Sequence, residues 1–203
     1  PNMSPYVYCG NDPINRIDPT GMEWLDADGN KIEDHSKIQV YIFYDPKSFG
    51  SQSEQMYKDA VAKYGAGRVA MSNVTTMSEF AQDWGDMASN NIKEVNLNYH
   101  GNNQTVMLNS SKKQYITATG DGKTNVSGTN ATNVQDLPMP SGNIDKAQLN
   151  LNTCKSNSKT QYELKGNKQT LMEAFYISFN FKPGRGTDQG VSSWCGFSPN
   201  SPP

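Results

Sequence analysis

The chain has 203 residues, of which 34% are hydrophobic and 19% are charged, and its formal net charge is -2. This charge and a pI near 5.7 argue against a nucleic-acid partner, because affinity for phosphate backbones comes mostly from lysine and arginine. No apolar run of about 18 residues occurs, so we expect no transmembrane helix and no membrane partner.

The cysteines and histidines are few and dispersed. Cys9, Cys154 and Cys195 lie in unlike contexts without a CxxC pair, and the histidines are His35 and His100. Such a set predicts neither a disulfide framework nor a metal site, and we expect no organic cofactor. His35 lies in a charged loop, and we interpret it as a solvated side chain.

The first 22 residues carry a specific motif. Segment 5–22 combines a short aromatic strand with two Asp-Pro turns and ends with Asp18-Pro-Thr-Gly21 followed by Met22. This segment resembles the end of an Rhs-repeat core, the shell of a polymorphic toxin. The resemblance implies that Asp18 occupies the position of an autoprocessing aspartate, with cleavage next to Met22. The earlier Asp-Pro-x-Gly partner of that reaction does not occur in this chain.

The Rhs resemblance also implies a domain organisation and a context. Residues 1–22 would be the tail of the Rhs core, and residues 23–203 would form one effector domain. The chain starts without an initiator methionine or a secretion signal, so we expect it to be a piece of a longer polypeptide. The implied partners are the upstream Rhs shell and an immunity protein, and the implied destination is a target cell reached through a bacterial secretion system.

After the motif, strand and helix signals alternate. Capping boxes at Ser51-x-x-Glu54, Thr76-x-x-Glu79 and Thr170-x-x-Glu173 predict three helix starts. Aromatic residues of the second helix, Phe80 and Trp84, recur at helical spacing and are predicted to be core. Segments rich in β-branched and aromatic residues predict strands at 38–44, 68–74, 92–99 and 147–152, with a last strand at 191–197 after a glycine-rich turn at 183–190.

This alternation predicts βαβ units and a mostly parallel sheet flanked by helices. Segment 102–143 is polar and is predicted to be an insertion of hairpin plus mobile loop, with short strands at 104–108 and 114–117. Two of the predicted central strands alternate apolar residues with asparagines, at Asn96, Asn98, Asn150 and Asn152. One face of the sheet is therefore expected to be polar or thinly covered, or to be a docking face for another part of the parent protein.

Two of these strands end in residues that can support nucleophilic catalysis. Segment 95–101 ends in His100-Gly101, and segment 149–154 ends in Thr153-Cys154. Because the carboxyl ends of parallel strands share one edge, His100 could activate the Cys154 thiol as a base. Gly101 would let the chain turn tightly after the histidine, so that its backbone amide and that of Cys154 could bind a tetrahedral oxyanion. The alternative is that Cys154 is a small buried apolar residue and His100 a turn residue.

The order of these elements resembles the caspase-like cysteine peptidases over residues 38–197. The family presents one strand ending in His-Gly and a later strand ending in a small residue and cysteine. The resemblance implies a three-layer sandwich and a cysteine endopeptidase acting on protein substrates. It also implies a substrate pocket near Asn152, Ser193 and Trp194, although Trp194 could equally be ordinary core. Asn152 gives no support for cleavage after basic residues, because members with that specificity commonly carry an acid there.

Two other functions remain open from the sequence. The domain could be an Rhs toxin of different hydrolase chemistry that uses the same cysteine and histidine, such as a glycohydrolase or a deamidase. It could also be a caspase-like module that only binds a partner.

Overall fold

The computed structural model describes residues 24–26, 30–32, 34–109, 114–118, 130–153 and 169–186. The described strands are β1 (Val40–Tyr44), β2 (Val69–Ser72), β3 (Glu94–Asn98), β4 (His100–Gly101), β5 (Thr105–Asn109), β6 (Gln114–Thr117), β7 (Asn130–Asn133), β8 (Gln148–Leu151) and β9 (Lys182–Gly186). The described α-helices are α1 (Pro46–Tyr64), α2 (Met77–Gly85) and α3 (Leu171–Phe179).

The central sheet has the order β2-β1-β3-β8-β9 within the described residues, and each neighbouring pair is parallel. The mixed α/β class and the parallel sheet are therefore confirmed. The chain order along the sheet reverses between β1 and β3, which is the place where open α/β sheets form a crevice at their carboxyl edge.

Helices cover both faces of this sheet. Val40 and Ile42 of β1 pack with Ala60 of α1 in one cluster, while Tyr41 and Phe43 belong to the larger cluster on the other face. That larger cluster contains the phenylalanine and tryptophan side chains of α2 and α3. Ring centroids lie 5.0 Å apart for Phe43 and Phe80 and 5.5 Å apart for Trp84 and Phe175. The prediction that Phe80 and Trp84 are core is confirmed.

Local sequence signals explain the helix starts. Thr76 and Thr170 form complete capping boxes with Glu79 and Glu173, as predicted. The predicted start of the first helix near Ser51 is wrong, because α1 begins at Pro46 and Asp45 caps it by accepting from the backbone N–H of Lys47. Asp before Pro is a strong helix start, since proline has no N–H to leave unpaired at the first position.

A second sheet follows β3, with the order β4-β5-β6-β7. The hairpin predicted inside the polar segment is confirmed as β5 and β6, which are antiparallel. The prediction of a mobile loop is wrong for residues 130–137, because β7 pairs with β6 and is followed by a 3-10 helix at Val134–Asp136. Val134 and Leu137 are buried in the main core, so scattered apolar residues anchor this otherwise polar segment.

The glycine-rich turn predicted at 183–190 is also wrong in its first part. Residues 183–186 belong to β9, which lies beside β8 at the edge of the sheet. A Cβ at Gly184 would collide with the carbonyl oxygen of Leu149 and the side chain of Asn150. Glycine at this position therefore allows β9 to approach β8 closely. An edge strand also tolerates Pro183, which cannot donate to a ladder. The strand predicted at 191–197 lies outside the described residues.

The asparagines of β3 and β8 lie on one face of the sheet, as their alternation predicts, but that face is not thinly covered. Asn96 is 2% exposed, Asn98 0%, Asn150 5% and Asn152 9%. Their amides bond to one another across the two strands, from Asn150 to Asn96 at 2.9 Å and from Asn152 to Asn98 at 2.6 Å. These four side chains therefore form a buried ladder and not an exposed docking face.

Trp24 ties the start of the described chain to the core. It is 3% exposed, and its ring lies edge-on to Tyr41 and Phe43 with centroids 4.8 and 5.1 Å away. Leu25 exchanges backbone hydrogen bonds with Met71 of β2. The segment around Leu25 thereby covers the outer edge of that strand. His35 is half-buried and packs edge-on against Trp24, so its interpretation as a solvated side chain is wrong.

Asp83 is a buried carboxyl group on α2. It accepts a hydrogen bond from Ser72 and is 3% exposed. Burial raises its pKa from 3.8 to about 6, against the opposing effect of the Ser72 bond. A raised folded-state pKa means that this group stabilises the fold below about pH 4 and that the benefit is lost as the pH rises through about 6.

Asp83→Asn is therefore expected to stabilise the protein at pH 7.5, by up to about 3 kcal/mol, because the buried charge is removed and Ser72 keeps an acceptor. At pH 4 the variant and the wild type should be almost equally stable. Urea unfolding at several pH values measures this, with Asp59→Asn as the control because Asp59 is exposed on α1. An equal effect of the two substitutions at pH 7.5 would contradict the assignment to Asp83.

Candidate active site

The carboxyl ends of β1, β3 and β8 meet at one edge of the central sheet. Asp45 follows β1, His100 follows β3 after Tyr99, and Thr153 follows β8 after Asn152. Continuous backbone bonds hold this edge, with Asp45 N–H donating to Asn98 at 3.1 Å and Asn152 N–H donating to Leu97 at 2.9 Å. Backbone hydrogen bonds therefore join the three strand ends at the edge where the sequence predicts the chemistry.

His100 is the first residue of β4, which leaves the central sheet and pairs with β5 opposite Met107. The side chain is half-buried, and the centroid of its ring lies 5.0 Å from that of Phe49 on α1. Burial lowers the pKa of His100, and the negative charge of Asp45 opposes this shift. The neutral imidazole is consequently favoured near neutral pH, which is the form that can accept a proton.

Gly101 is confined by the turn that follows the histidine. A Cβ at this position would collide with the carbonyl oxygen of Thr105 and lie 3.2 Å from the Cβ of Thr153. The turn is closed by Asn102 N–H donating to Thr105 O at 2.9 Å. The expectation that glycine permits a tight turn after His100 is confirmed, and the requirement comes from lack of space.

The close approach of Gly101 to Thr153 brings the two predicted catalytic segments together. Thr153 is fully buried and is the residue before Cys154. Cys154 itself lies outside the described residues, as do Asp18, Met22, Ser193 and Trp194. The described chain thus brings the backbone after His100 to within one residue of the predicted nucleophile.

Asn152, predicted to line a substrate pocket, bonds within the protein. Its amide donates to Asn98 Oδ1 at 2.6 Å and lies 3.8 Å from the sulfur of Met56. The side chain therefore faces α1, on the same side of the sheet as Asn98. Its burial leaves it little surface for a substrate.

Asp45 is a charged group near the site that the sequence reasoning missed. The sequence marks it only as the first residue of an Asp-Pro pair after the first strand, whereas in the structure it caps α1 and its charge raises the pKa of His100. What could have identified Asp45 is its position directly after β1, because β1 is the neighbour of β3, the strand that leads to His100. Strand order is a tertiary property, so the single sequence did not identify that neighbour.

Asp45→Asn is expected to lower the pKa of His100 further, because the carboxylate that favours the imidazolium is removed. Asparagine still caps a helix, so α1 should remain intact. The measurement is an NMR titration of the His100 ring, with Asp59→Asn as the control because Asp59 is exposed farther along α1. A titration midpoint that rises, or that moves equally in both variants, would contradict the electrostatic role of Asp45.

No cluster of three or more His, Cys, Asp or Glu side chains that could hold a metal ion occurs in the described part of the chain. Among the same residues, no helix is both long and apolar enough to cross a membrane. No protein-family model matches the sequence, and no curated protein or solved structure matches it significantly.

Proposed function

We propose that residues 23–203 are the toxin domain of an Rhs polypeptide and act as a caspase-like cysteine endopeptidase. Cys154 is the nucleophile, and His100 is the general base and then the general acid. The remainder of the Rhs shell packages the domain, a secretion system delivers it into a target cell, and an immunity protein protects the producer.

The register between β3 and β8 carries this proposal. Asn96 bonds to Asn150 and Asn98 bonds to Asn152, each across 54 residues of sequence. His100 and Cys154 are separated by the same 54 residues, and although His100 has left the central sheet in β4, Gly101 still approaches Thr153 closely. We therefore expect the imidazole and the thiol to lie near each other. Neighbouring strands lie about 4.8 Å apart, so side chains on one face at this position would be within reach of each other.

The face of the sheet supports the same pairing. Residues two apart in a strand point to the same side, and His100 contacts Phe49 of α1, the helix that also contacts Asn98. Cys154, two residues beyond Asn152, would continue the series of Asn150 and Asn152 in the same way. The thiol and the imidazole would then form the next rung of the asparagine ladder.

The reaction follows from these positions. His100 accepts the thiol proton, and the thiolate attacks the carbonyl carbon of the scissile peptide. The backbone amides of Gly101 and Cys154 donate to the oxyanion, and His100 returns the proton to the leaving amine. Water, deprotonated by His100, then hydrolyses the thioester and releases the second product.

Expression of the full 203-residue chain in bacteria tests the proposal. The wild type and the matched control Cys195→Ala should inhibit growth and create new protein N-termini, because both keep Cys154. Cys154→Ala should do neither, while remaining folded and equally abundant.

Two outcomes would overturn the peptidase assignment. Equal toxicity of the wild type and Cys154→Ala would exclude a role for the thiol. Toxicity that depends on Cys154 without any new N-termini would instead identify another hydrolase chemistry, such as deamidation or glycoside hydrolysis.

A further inference from the structure

Asn98 connects the elements that meet at the carboxyl edge of the sheet. It is fully buried at the end of β3, two residues before His100. Its side-chain oxygen accepts from Asn152 at 2.6 Å, and its backbone oxygen accepts from Asp45 at 3.1 Å. One residue thus ties β3 to the ends of both neighbouring strands.

The amide nitrogen of Asn98 makes the third connection, to α1. It donates to Ser53 Oγ at 2.8 Å and lies 3.2 Å from the sulfur of Met56. Ser53 is one helical turn from Phe49, so both side chains lie on the same face of α1. Phe49 is the residue whose ring packs against His100.

A buried asparagine in this position requires a reason. Amides lose hydrogen bonds to water when buried, and an apolar pair would pack between a sheet and a helix without this loss. Hydrogen bonds have fixed directions, however, and apolar contacts do not. A fully bonded amide therefore fixes the relative positions of the parts that it joins.

We propose that Asn98 is a positioning residue for the candidate active site. It holds Phe49 of α1, His100 and the strand end that precedes Cys154 in one arrangement. This inference rests on the proposed function for its catalytic consequence, whereas the positioning of His100 is independent of it. Among the described residues, the charged group acting on His100 is Asp45, which follows β1, whereas Phe49 of α1 and Met107 of β5 are uncharged.

Asn96 provides a matched control. It is also buried on the same face of β3, it bonds to Asn150 at 2.9 Å, and it lies four residues from His100. Asn96→Leu and Asn98→Leu remove the same chemical group from neighbouring rungs. Both should lower the midpoint of thermal unfolding, so a loss of stability alone does not distinguish them.

The distinguishing measurement is NMR of the His100 ring in the full chain, assigned with His100→Gln. Asn98→Leu should reduce the ring-current shift caused by Phe49 and move the titration midpoint, while Asn96→Leu should change neither. If Asn98→Leu does not fold, Ser53→Ala with Met56→Leu removes the connection to α1 and should change the His100 signal in the same direction. In the active protein, cleavage by Asn98→Leu should fall about tenfold or more, because small displacements of reacting groups are costly.

The positioning role is refuted if Asn98→Leu and Asn96→Leu alter the His100 signal equally, or if neither does. It is also refuted if the folded double variant at Ser53 and Met56 leaves the signal unchanged. Failure of the proposed function has a different signature. Cys154→Ala would then leave the His100 titration unaltered, while the effect of Asn98→Leu on that titration would persist.

Discussion

His100→Ala and Cys154→Ala are each expected to slow peptide cleavage by roughly 10³-fold or more, and the double variant should be no slower than either single variant. A base without its nucleophile, or a nucleophile without its base, cannot complete the first step. The effects of residues that act as one unit therefore do not multiply. Initial rates on a peptide library that contains a cleaved sequence would measure all four forms.

Far-UV circular dichroism and thermal unfolding serve as controls for this cycle. His100 lies beyond the end of β3 and Cys154 is predicted to lie beside it, so the loss of either side chain should leave the core intact. A fold-loss of rate in the double variant that equals the product of the two single fold-losses would show that His100 and Cys154 act independently. That result would contradict a shared proton.

Gly101→Ala is expected to destabilise the protein by about 4 kcal/mol and to displace His100, because a methyl group has no space in this turn. The new Cβ would meet the carbonyl oxygen of Thr105, which is backbone and cannot rotate away, and it would lie 3.2 Å from the Cβ of Thr153. Relief requires either the turn after His100 or the segment before Cys154 to move. Urea unfolding measures the loss, and the NMR signal of His100 reports the displacement.

Gly50→Ala is the matched control for this substitution. Gly50 lies inside α1, and a Cβ there would meet no atom within 4 Å. Alanine has the higher helix propensity, so this variant should be more stable than the wild type by about 0.5 to 1 kcal/mol. A Gly101→Ala protein that is as stable as wild type would show that the turn is looser than the structure describes.

Local signals predicted the elements whose ends are determined by neighbouring residues. The boxes of Thr76 with Glu79 and Thr170 with Glu173 predict α2 and α3, because each pair satisfies backbone donors within four residues. The tight turn after His100 was likewise expected from the His-Gly pair at the end of a strand, whereas the lack of space at Gly101 depends on Thr105 and Thr153.

Tertiary contacts determined what the sequence did not reveal. β9 contains glycine and proline and lacks a strand pattern, and its place beside β8 depends on the close approach of Gly184 to Asn150. The alternating asparagines predicted a polar face. The sequence did not show that their amides are buried and bond to one another, because this depends on β8 being the parallel neighbour of β3. The effect of the Asp45 charge on the pKa of His100 likewise depends on strand order, because β1 lies beside β3.

The most direct test of the His100 and Cys154 pair is the pH dependence of Cys154 alkylation in a Cys9→Ser, Cys195→Ser background, measured with and without His100→Gln. The pairing predicts that Cys154 titrates well below the ordinary thiol pKa of about 8.5 when His100 is present. It also predicts that His100→Gln returns the pKa to about that value. Identical alkylation profiles in the two proteins would contradict the pairing.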